Sequence, residues 1–314
     1  MKNARIYINK RGKMILYKYR ANTEFTEKIF LDQKVWLSNA SGLNDPFECS
    51  MQEISKEWTD KQVEEGMQAQ IAGLVMGAMN HLANNQGFWG MKPYQVKAML
   101  KTLGRKKSLE EKYKMCREFI KSKTGHYPSD LKATISEFDK QLNEVGIFSL
   151  SETCENQLMW SHYAEDAKGI AIGFSVEKNT KLTDANHCVK VNYSDILPEF
   201  TGDGFISELS IYIDEFGRPY SKNKISFSDP TFKLAVSTKP TCWSYENEWR
   251  YVEEKSGSYN LPAPIKEIVF GLRCPPENRE KYRSLAEKYI SNPINFYEIQ
   301  KVPNTNSIVK KEIK

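Results

Sequence analysis

Short segments in which apolar and polar residues alternate open the chain. The run MILYKYR (14–20) predicts a strand that ends at Arg20, and KVWLS (34–38) predicts a second, shorter strand. The segment between them, NTEFTEKIFLDQ, offers an Asn/Thr cap followed by apolar residues at helical spacing, so it predicts a helix. The loop NASGLNDPFE, which comes next, is rich in turn-forming residues.

A long stretch from about 53 to 144 has a different period. Proline is sparse there, Met, Ala, Glu and Lys dominate, and apolar residues recur at helical spacing, which predicts about four helices. From residue 146 onward, strand patterns return in the segments GIFSLS, GIAIGF, HCVKVNY, EWRYVE, IKEIVFGL and INFYEIQKV. Two further helices are predicted, in NQLMWSHYA and PPENREKYRSLAEKYI.

The order of these segments predicts the α+β fold class, with a mixed β-sheet core. The helical block at about 53–144 is then an insertion within a single domain that comprises residues 1–314. A chain of this length, in which 40 % of the residues are apolar, has ample material for a hydrophobic core.

Charge and cysteine usage narrow the class of protein. The net charge of +5, from 45 basic and 40 acidic residues, indicates no particular partner. No run of about 18 apolar residues predicts a membrane span, and the start MKNARIYINKRGK lacks the apolar centre of a signal peptide. The six cysteines form no CxxC pair, so neither a zinc site nor a disulfide framework is indicated. We therefore expect a cytoplasmic protein with reduced thiols, no membrane association and no metal.

The segment KPTCWSYENEWRYV (239–252) carries the densest candidate chemistry. Side chains of a strand alternate between its faces, so Glu246, Glu248 and Arg250 are expected on one face. The aromatic residues of the segment take the other face: Tyr245, Trp249 and Tyr251. Two like charges on one face repel each other, so such a pair suggests a functional reason for its presence. This makes the glutamates a candidate catalytic pair. The alternative is an ordinary, half-buried edge strand.

Six segments, in order, carry a family resemblance: LYKYR, LNDPFE, FSLSETCENQLMWSHYAEDAKGIAIGF, VNY, KPTCWSYENEWR and IVFGLRCPPENREKY. Together they resemble the bacterial family catalogued as domain of unknown function 2971. The resemblance extends from Leu16 to about Tyr282 and is weakest in the helical block and in the stretch 194–230. It covers most of the chain, and it implies no particular activity.

A more distant resemblance rests on three motifs in chain order. These are Arg20 in YKYR, Ser149 and Ser151 in FSLS, and Glu246 and Glu248 in YENEW. In this the chain resembles the mono-ADP-ribosyltransferases of the arginine–serine–glutamate class. The resemblance implies a transferase-like core and NAD as the substrate that supplies ADP-ribose. It also implies a macromolecular acceptor, protein or nucleic acid, and a toxin or anti-phage role.

The resemblance implies a role for each motif. Arg20 would grip the pyrophosphate of NAD, because a guanidinium binds such oxygens bidentately. Glu248 would stabilise the oxocarbenium ion that forms when the nicotinamide–ribose bond breaks, and Glu246 would orient or deprotonate the acceptor. The other implied NAD-binding residues hold the strand and ribose or stack on the rings: Ser149, Ser151, Tyr19, Trp243 and Tyr245. The motifs at 149 and 246 are 97 residues apart (246 − 149), which implies an insertion around 194–230.

Two other functions fit the same residues. A metal-dependent nuclease or hydrolase would use acidic and histidine side chains: Asp45, Glu48, His162, Glu246 and Glu248. A non-catalytic module would capture a peptide or a nucleotide in its tryptophan-rich groove.

Several candidates also have purely structural interpretations. Arg20 can end a strand in a surface ion pair, and Asn44 and Asp45 can form a turn. His162 is then a partly buried residue of a packed helix, and Lys239 either binds phosphate or is solvated.

One region is strongly basic. Between Lys92 and Lys123 there are eleven Lys or Arg residues against three Glu. Phosphate contacts are electrostatic and need no motif, so the run 92–123 is a candidate nucleic-acid surface. The alternative is that these are solvated basic helices.

Overall fold

The computed structural model describes residues 14–128, 131–200 and 206–313. The start MKNARIYINKRGK and residues 201–205 of the stretch 194–230 lie outside the described residues. The helices are α1 (Glu24–Leu31), α2 (Lys56–Ala83), α3 (Pro93–Arg105), α4 (Leu109–Thr124), α5 (Leu131–Glu144), α6 (Gln157–Tyr163), α7 (Pro230–Ser237) and α8 (Pro276–Tyr289). The strands are β1 (Ile15–Arg20), β2 (Lys34–Leu37), β3 (Gly146–Ser151), β4 (Ile170–Ser175), β5 (Cys188–Lys190), β6 (Asn192–Tyr193), β7 (Ser207–Ile213), β8 (Pro219–Ile225), β9 (Thr238–Lys239), β10 (Glu248–Glu253), β11 (Gly257–Asn260), β12 (Ile265–Phe270), β13 (Asn295–Lys301) and β14 (Ile308–Glu312).

The chain divides into two compact units. The sheet unit comprises Met1–Met51, Gln141–Pro198 and Phe232–Lys314, and the helical unit comprises Gln52–Lys140 and Glu199–Thr231. The helices predicted between 53 and 144 are confirmed, since α2 to α5 occupy this stretch. The expectation of a single domain stays a prediction.

An eight-stranded sheet, in the order β14-β13-β12-β4-β1-β3-β10-β5, forms the centre of the sheet unit. β12 and β13 run parallel, whereas the other neighbouring strands of this sheet run antiparallel. The sheet is therefore mixed, and the α+β prediction is confirmed.

The sheet is split between β1 and β3. Within the described residues these neighbours pair at a single register position, Tyr17↔Ser151. The start of β3 pairs instead with the residue that follows β2, because Ser38 and Ile147 exchange backbone hydrogen bonds of 2.8 and 3.0 Å. A gap follows on the side where β1 ends at Arg20.

Apolar side chains cover both faces of β1. Leu16 belongs to one core cluster, together with Phe148 of β3 and Tyr282 of α8. Tyr19 belongs to a second cluster on the opposite face, where its ring meets the edge of Trp160 in α6. Charged residues of this central strand are therefore enclosed by protein except where the gap opens.

Two expectations for the segment 239–252 are wrong. β10 is not an edge strand, because it lies between β3 and β5. Glu246 is not on the strand, since it ends a 3-10 helix, Thr241–Glu246, and the strand begins at Glu248. Asn247 separates the two glutamates with a φ of 45°, a left-handed conformation that Asn tolerates better than most residues. This turn, not strand alternation, sets the direction of Glu246.

The helical unit contains α2, α3, α4, most of α5, and the antiparallel hairpin of β7 and β8. Its core cluster is built by Leu74, Ala78, Phe88, Val96, Leu103 and Cys116. Across the described residues of both units, no helix has the length and apolar character that a membrane crossing requires.

Candidate functional site

A cavity of about 650 Å³ lies in the sheet unit where β1 and β3 part. Strands β1 and β3, helix α1, strand β2 and the loop after β2 supply most of its walls. The predicted residues that line it are Tyr19, Arg20, Asn44, Glu48, Ser149, Ser151, Lys239, Glu246 and Glu248. The predicted residues outside its lining are Asp45, His162, Trp243, Tyr245 and Arg250. The three motifs of the transferase resemblance thus meet at one cavity.

Lys239 is the centre of a buried ion cluster at the base of this cavity. Its Nζ lies 2.7 Å from Glu246 Oε2, 3.0 Å from Glu48 Oε1 and 3.2 Å from Glu248 Oε2. All four side chains are buried. Since an unpaired buried charge is very costly, each glutamate needs the ammonium group to remain ionised.

Arg250 is the second cation of the cluster and is completely buried. Its Nε donates to Glu248 Oε1 at 3.0 Å, and its Nη2 binds both Glu48 and Glu248. Its Nη1 donates to the carbonyl oxygen of Val236 at 2.6 Å. The expected repulsion between the two glutamates of YENEW is therefore relieved within the protein itself.

The cluster shifts the two glutamate pKa values in opposite directions. Burial opposes the ionisation of Glu248, but the charges of Arg250 and Lys239 outweigh it and hold its pKa at about 2. Burial raises the pKa of Glu246, although Lys239 opposes the rise. Three carboxylates and two cations give the cluster a net charge of −1 when all are ionised. Protonation of Glu246, the glutamate with the raised pKa, removes this excess negative charge.

A short hydrogen-bond chain leads from the loop after β2 to Glu246. Asn44 Nδ2 donates to the hydroxyl of Tyr163 at 2.8 Å, and that hydroxyl donates to Glu246 Oε1 at 2.6 Å. The burial of Tyr163 and its bond to Glu246 raise its pKa, so it stays protonated. Tyr163 was not predicted as a site residue, because its position in an apolar helical pattern indicates packing and not this contact.

The two serines of β3 hold the glutamates in place. Ser151 Oγ donates to the carbonyl oxygen of Glu246 at 2.6 Å, and Ser149 hydrogen-bonds the Glu248 carboxylate. Glu248 therefore already accepts from Arg250, Lys239 and Ser149, which uses its acceptor positions. Glu246 keeps unused acceptor capacity toward the cavity.

Arg20 stands apart from this cluster. It lines the cavity, is half-buried, and its Nε is buried without a hydrogen-bond partner among the described residues. Burial lowers its pKa, but a guanidinium remains charged in proteins. The surface ion pair expected for Arg20 does not form within the described part of the chain.

The remaining candidates have structural contacts. Tyr19 borders the cavity, but its hydroxyl donates to the carbonyl oxygen of Thr153 at 2.8 Å. Asp45 Oδ1 accepts from the amide of Phe47, as expected of a turn residue. His162 is exposed, so the expectation of a partly buried histidine is wrong. Lys239 is buried, and this excludes the solvated alternative for it.

The aromatic residues of the segment 239–252 lie beside the cluster and not in the cavity wall. Trp243 is half-buried, and its ring lies under Lys239 Nζ at 4.8 Å. Tyr245 packs against the core cluster that contains Trp160. The stacking role expected of both rings finds no support in this placement.

Metal binding requires several donors that are free to face an ion. No group of three or more His, Cys, Asp or Glu side chains that could hold a metal occurs among the described residues. Glu48, Glu246 and Glu248 do converge, but Lys239 and Arg250 occupy the space between them. The donor set therefore does not fit the metal-dependent nuclease or hydrolase.

Comparison with known proteins gives one match. No curated protein and no solved structure matches the chain significantly. Residues 159–251 match the model of the family described as Protein of unknown function (DUF2971). The matched range carries Tyr163, Lys239, Glu246, Glu248 and Arg250, whereas β1 precedes it. The match supports the DUF2971 family for this chain.

Proposed function

We propose that the protein cleaves the nicotinamide–ribose bond of NAD and transfers ADP-ribose to a macromolecular acceptor. One observation carries the proposal: an arginine whose Nε has no partner among the described residues, a Ser-x-Ser strand and two glutamates with opposite pKa shifts line one cavity. Its volume of about 650 Å³ falls within the usual range for small-molecule sites.

Arg20 binds the pyrophosphate. A half-buried guanidinium without a carboxylate partner within the described residues is poised for an anionic ligand, since it gives up no ion pair on binding. Its planar donors match the oxygens of a diphosphate. The three glutamates of the cavity do not compete for it, because Lys239 and Arg250 already bind them.

The glutamates act on the ribose and on the acceptor. Glu248 stays ionised at any physiological pH, and with Glu246 ionised the cluster carries a net negative charge at the base of the cavity. That charge stabilises the developing oxocarbenium ion. Glu246, with its raised pKa and free acceptor positions, accepts the proton of the incoming nucleophile.

The direct test is release of nicotinamide from NAD by the purified protein, with labelling of added protein or RNA acceptors as the second readout. We expect release with the wild type. Metal-dependent cleavage of RNA or DNA without nicotinamide release would favour the nuclease instead. No activity in either assay would favour the binding module.

Arg20→Met is expected to weaken NAD binding by roughly tenfold to a hundredfold, because a charge-assisted contact to phosphate is worth about 1.5–3 kcal/mol. Titration calorimetry with NAD measures the affinity. Arg273→Met, which removes an exposed arginine outside this cavity, is the matched control. Equal affinities for the two variants would contradict the role of Arg20.

We further propose that nucleic acid contacts the basic run 92–123. Its exposed basic side chains form no ion pair with the described residues: Lys92, Lys97, Lys101, Arg105, Lys107, Lys114, Lys121 and Lys123. Unpaired cations concentrated on α3 and α4 are the kind of surface that phosphate groups neutralise.

The double reversal Lys97→Glu, Lys101→Glu is expected to lower affinity for a short RNA by about tenfold or more at low salt, because both residues are exposed on α3. Fluorescence anisotropy across a salt series measures this. A double reversal at Lys168 and Lys178, exposed in the sheet unit, is the control. If the protein binds neither RNA nor DNA at low salt, the basic residues of the run 92–123 serve only to solvate the helices.

A further inference from the structure

Lys18 is a cavity residue that the proposed reaction does not yet use. It lies two positions before Arg20, so both side chains leave β1 on the same side, roughly 7 Å apart along the strand. Both are half-buried and both line the cavity. The Lys18 Nζ donates to the carbonyl oxygen of Ser149 at 2.9 Å, across the gap between β1 and β3.

No carboxylate lies within ion-pair distance of Lys18 among the described residues. Its other close contact is the ring of Phe148, 4.7 Å from Nζ. Charged groups on four elements face it: Arg20 on β1, Lys239 on β9, Glu246 in the 3-10 helix and Glu248 on β10. The remaining charged residues that line the cavity are Lys28, Asp32, Lys34 and Glu48.

These surroundings disfavour a charge on Lys18. Burial is the largest cause, the neighbouring Arg20 adds to it, and together they lower the pKa of Lys18 to about 7, although Glu248 and Glu246 oppose the shift. Those two carboxylates are already bound to Lys239 and Arg250, so they compensate only in part. With a pKa of about 7, a substantial fraction of the amine is therefore uncharged near neutral pH while the cavity is empty.

We propose that Lys18 is the second phosphate ligand of the cavity and that, when a diphosphate ligand binds, Lys18 takes up a proton from solvent. The inference rests on the proposed function only in taking the ligand to be a diphosphate such as that of NAD. Arg20 binds one phosphate and Lys18 the other, since the spacing of two cations on one side of a strand matches two linked anions. The bound negative charge then favours the ammonium form of Lys18.

Proton uptake makes the affinity depend on pH in a defined direction. Above about pH 7 the free protein must take up a proton from solvent on binding, so affinity falls by up to tenfold per pH unit. Below that pH the amine is already protonated, and affinity becomes independent of pH. Arg20 cannot be the group that takes up this proton, because a guanidinium does not titrate in this pH range.

ADP-ribose is the probe of choice because its diphosphate is a diester and lacks the phosphomonoester ionisation near pH 6. Titration calorimetry between pH 6 and pH 9, in pairs of buffers with different ionisation enthalpies, counts the protons taken up. We expect uptake to approach one proton per ADP-ribose above about pH 8 and to vanish below pH 6.

Three variants separate charge from structure. Lys18→Arg keeps a cation at every pH, so affinity should be high and independent of pH, with no proton uptake. Lys18→Gln has no charge, so affinity should be low, roughly tenfold or more below that of the wild type at pH 6, and again independent of pH. Lys178→Gln, at an exposed position outside the cavity, should retain the wild-type pH profile. Thermal melts confirm that each variant folds.

Two results would overturn the inference. Equal pH profiles for the wild type and Lys18→Gln would show that the proton goes elsewhere. If the wild type binds neither ADP-ribose nor ADP, the cavity does not take a diphosphate ligand and the inference is rejected. The proposed activity is tested separately, by nicotinamide release. If Lys18→Gln releases nicotinamide at the wild-type rate, with an unchanged Michaelis constant for NAD between pH 6 and pH 9, Lys18 has no role in binding. The proposed transferase activity would then still stand.

Discussion

Replacement of Glu248 by glutamine is expected to lower the rate of nicotinamide release by about a hundredfold or more. The change removes a permanent negative charge from the site proposed for the ribose, and loss of one such electrostatic group typically has an effect of this size. Glu246→Gln should instead keep slow hydrolysis of NAD to free ADP-ribose and lose transfer to the acceptor, because the proton acceptor is gone. Nicotinamide release and acceptor labelling, measured side by side, distinguish the two roles.

Stability must be separated from chemistry in this comparison. Glutamine at position 248 presents an amide group to Arg250 and Lys239, so some loss of stability is expected. Glu48→Gln removes a charge from the same two cations and is the matched control for that loss. Rates are compared well below the melting temperatures of all variants. Equal, wild-type-like rates of release and labelling for Glu246→Gln and Glu248→Gln would make both glutamates structural.

The pH profile adds a second check on Glu246. Its pKa is raised by burial, so the acidic limb of the rate profile should lie above the ordinary range for glutamate. Activity then falls as pH decreases through that pKa, because protonation neutralises the cluster. Glu246→Gln should abolish this limb, whereas a limb that persists would place the titrating group elsewhere.

Arg250→Met is expected to have the largest effect on stability, a loss of about 3–5 kcal/mol in the free energy of unfolding. Arg250 is completely buried, and its removal leaves three carboxylates with Lys239 as their one remaining cation among the described residues. Urea unfolding followed by tryptophan fluorescence measures the loss. Adding Glu248→Gln to this variant should recover part of it, since the uncompensated charge is then removed.

A half-exposed arginine of the sheet unit provides the control. Arg279 pairs with Glu298 at 2.6 Å, with both side chains partly solvated. Arg279→Met should cost no more than about 1 kcal/mol beyond its lost packing. Similar losses for the two arginine variants would mean that the buried cluster contributes little specific stabilisation.

Acid sensitivity should change with Arg250 in a predictable direction. The pKa of Glu248 is about 2 in the folded protein, below its value of about 4.3 in an unfolded chain. Its contribution to stability is therefore present above that unfolded value and is lost as pH falls toward 2. Arg250→Met raises the folded pKa, so its acid unfolding midpoint should lie at a higher pH than that of the wild type.

The fold class and much of the element order were predictable, because they depend on local periodicity. The alternating run at 14–20 is β1, and the helical spacing at 53–144 corresponds to α2 to α5. The strands β7 and β8 were not predicted, although SELSIYI places apolar residues at 209, 211 and 213; PYSKNKI lacks such an alternation. The wrong placement of Glu246 has a local cause as well, the left-handed Asn247.

The partners in the site were only partly predictable. Lys239 and the two glutamates occur in one stretch of fourteen residues, so all three were predicted as candidate site residues. Glu48 reaches Arg250 across 202 positions of the chain, and such convergence depends on the register of the sheet. Lys18 carried a usable signal, because it lies two positions before Arg20 and therefore on the same side of the strand. Tyr163 carried none, because a hydroxyl contact leaves no trace in an apolar pattern.

The single rung between β1 and β3 has a mechanical consequence. It divides the eight strands into a plate of five and a plate of three, joined within the described residues at Tyr17↔Ser151. In an ordinary sheet, separating neighbouring strands breaks a ladder of backbone hydrogen bonds, whereas here one pairing position and the bond from Lys18 Nζ to the carbonyl oxygen of Ser149 link the two strands. Widening the cavity between β1 and β3 therefore breaks fewer hydrogen bonds than separating the fully paired neighbours β1 and β4.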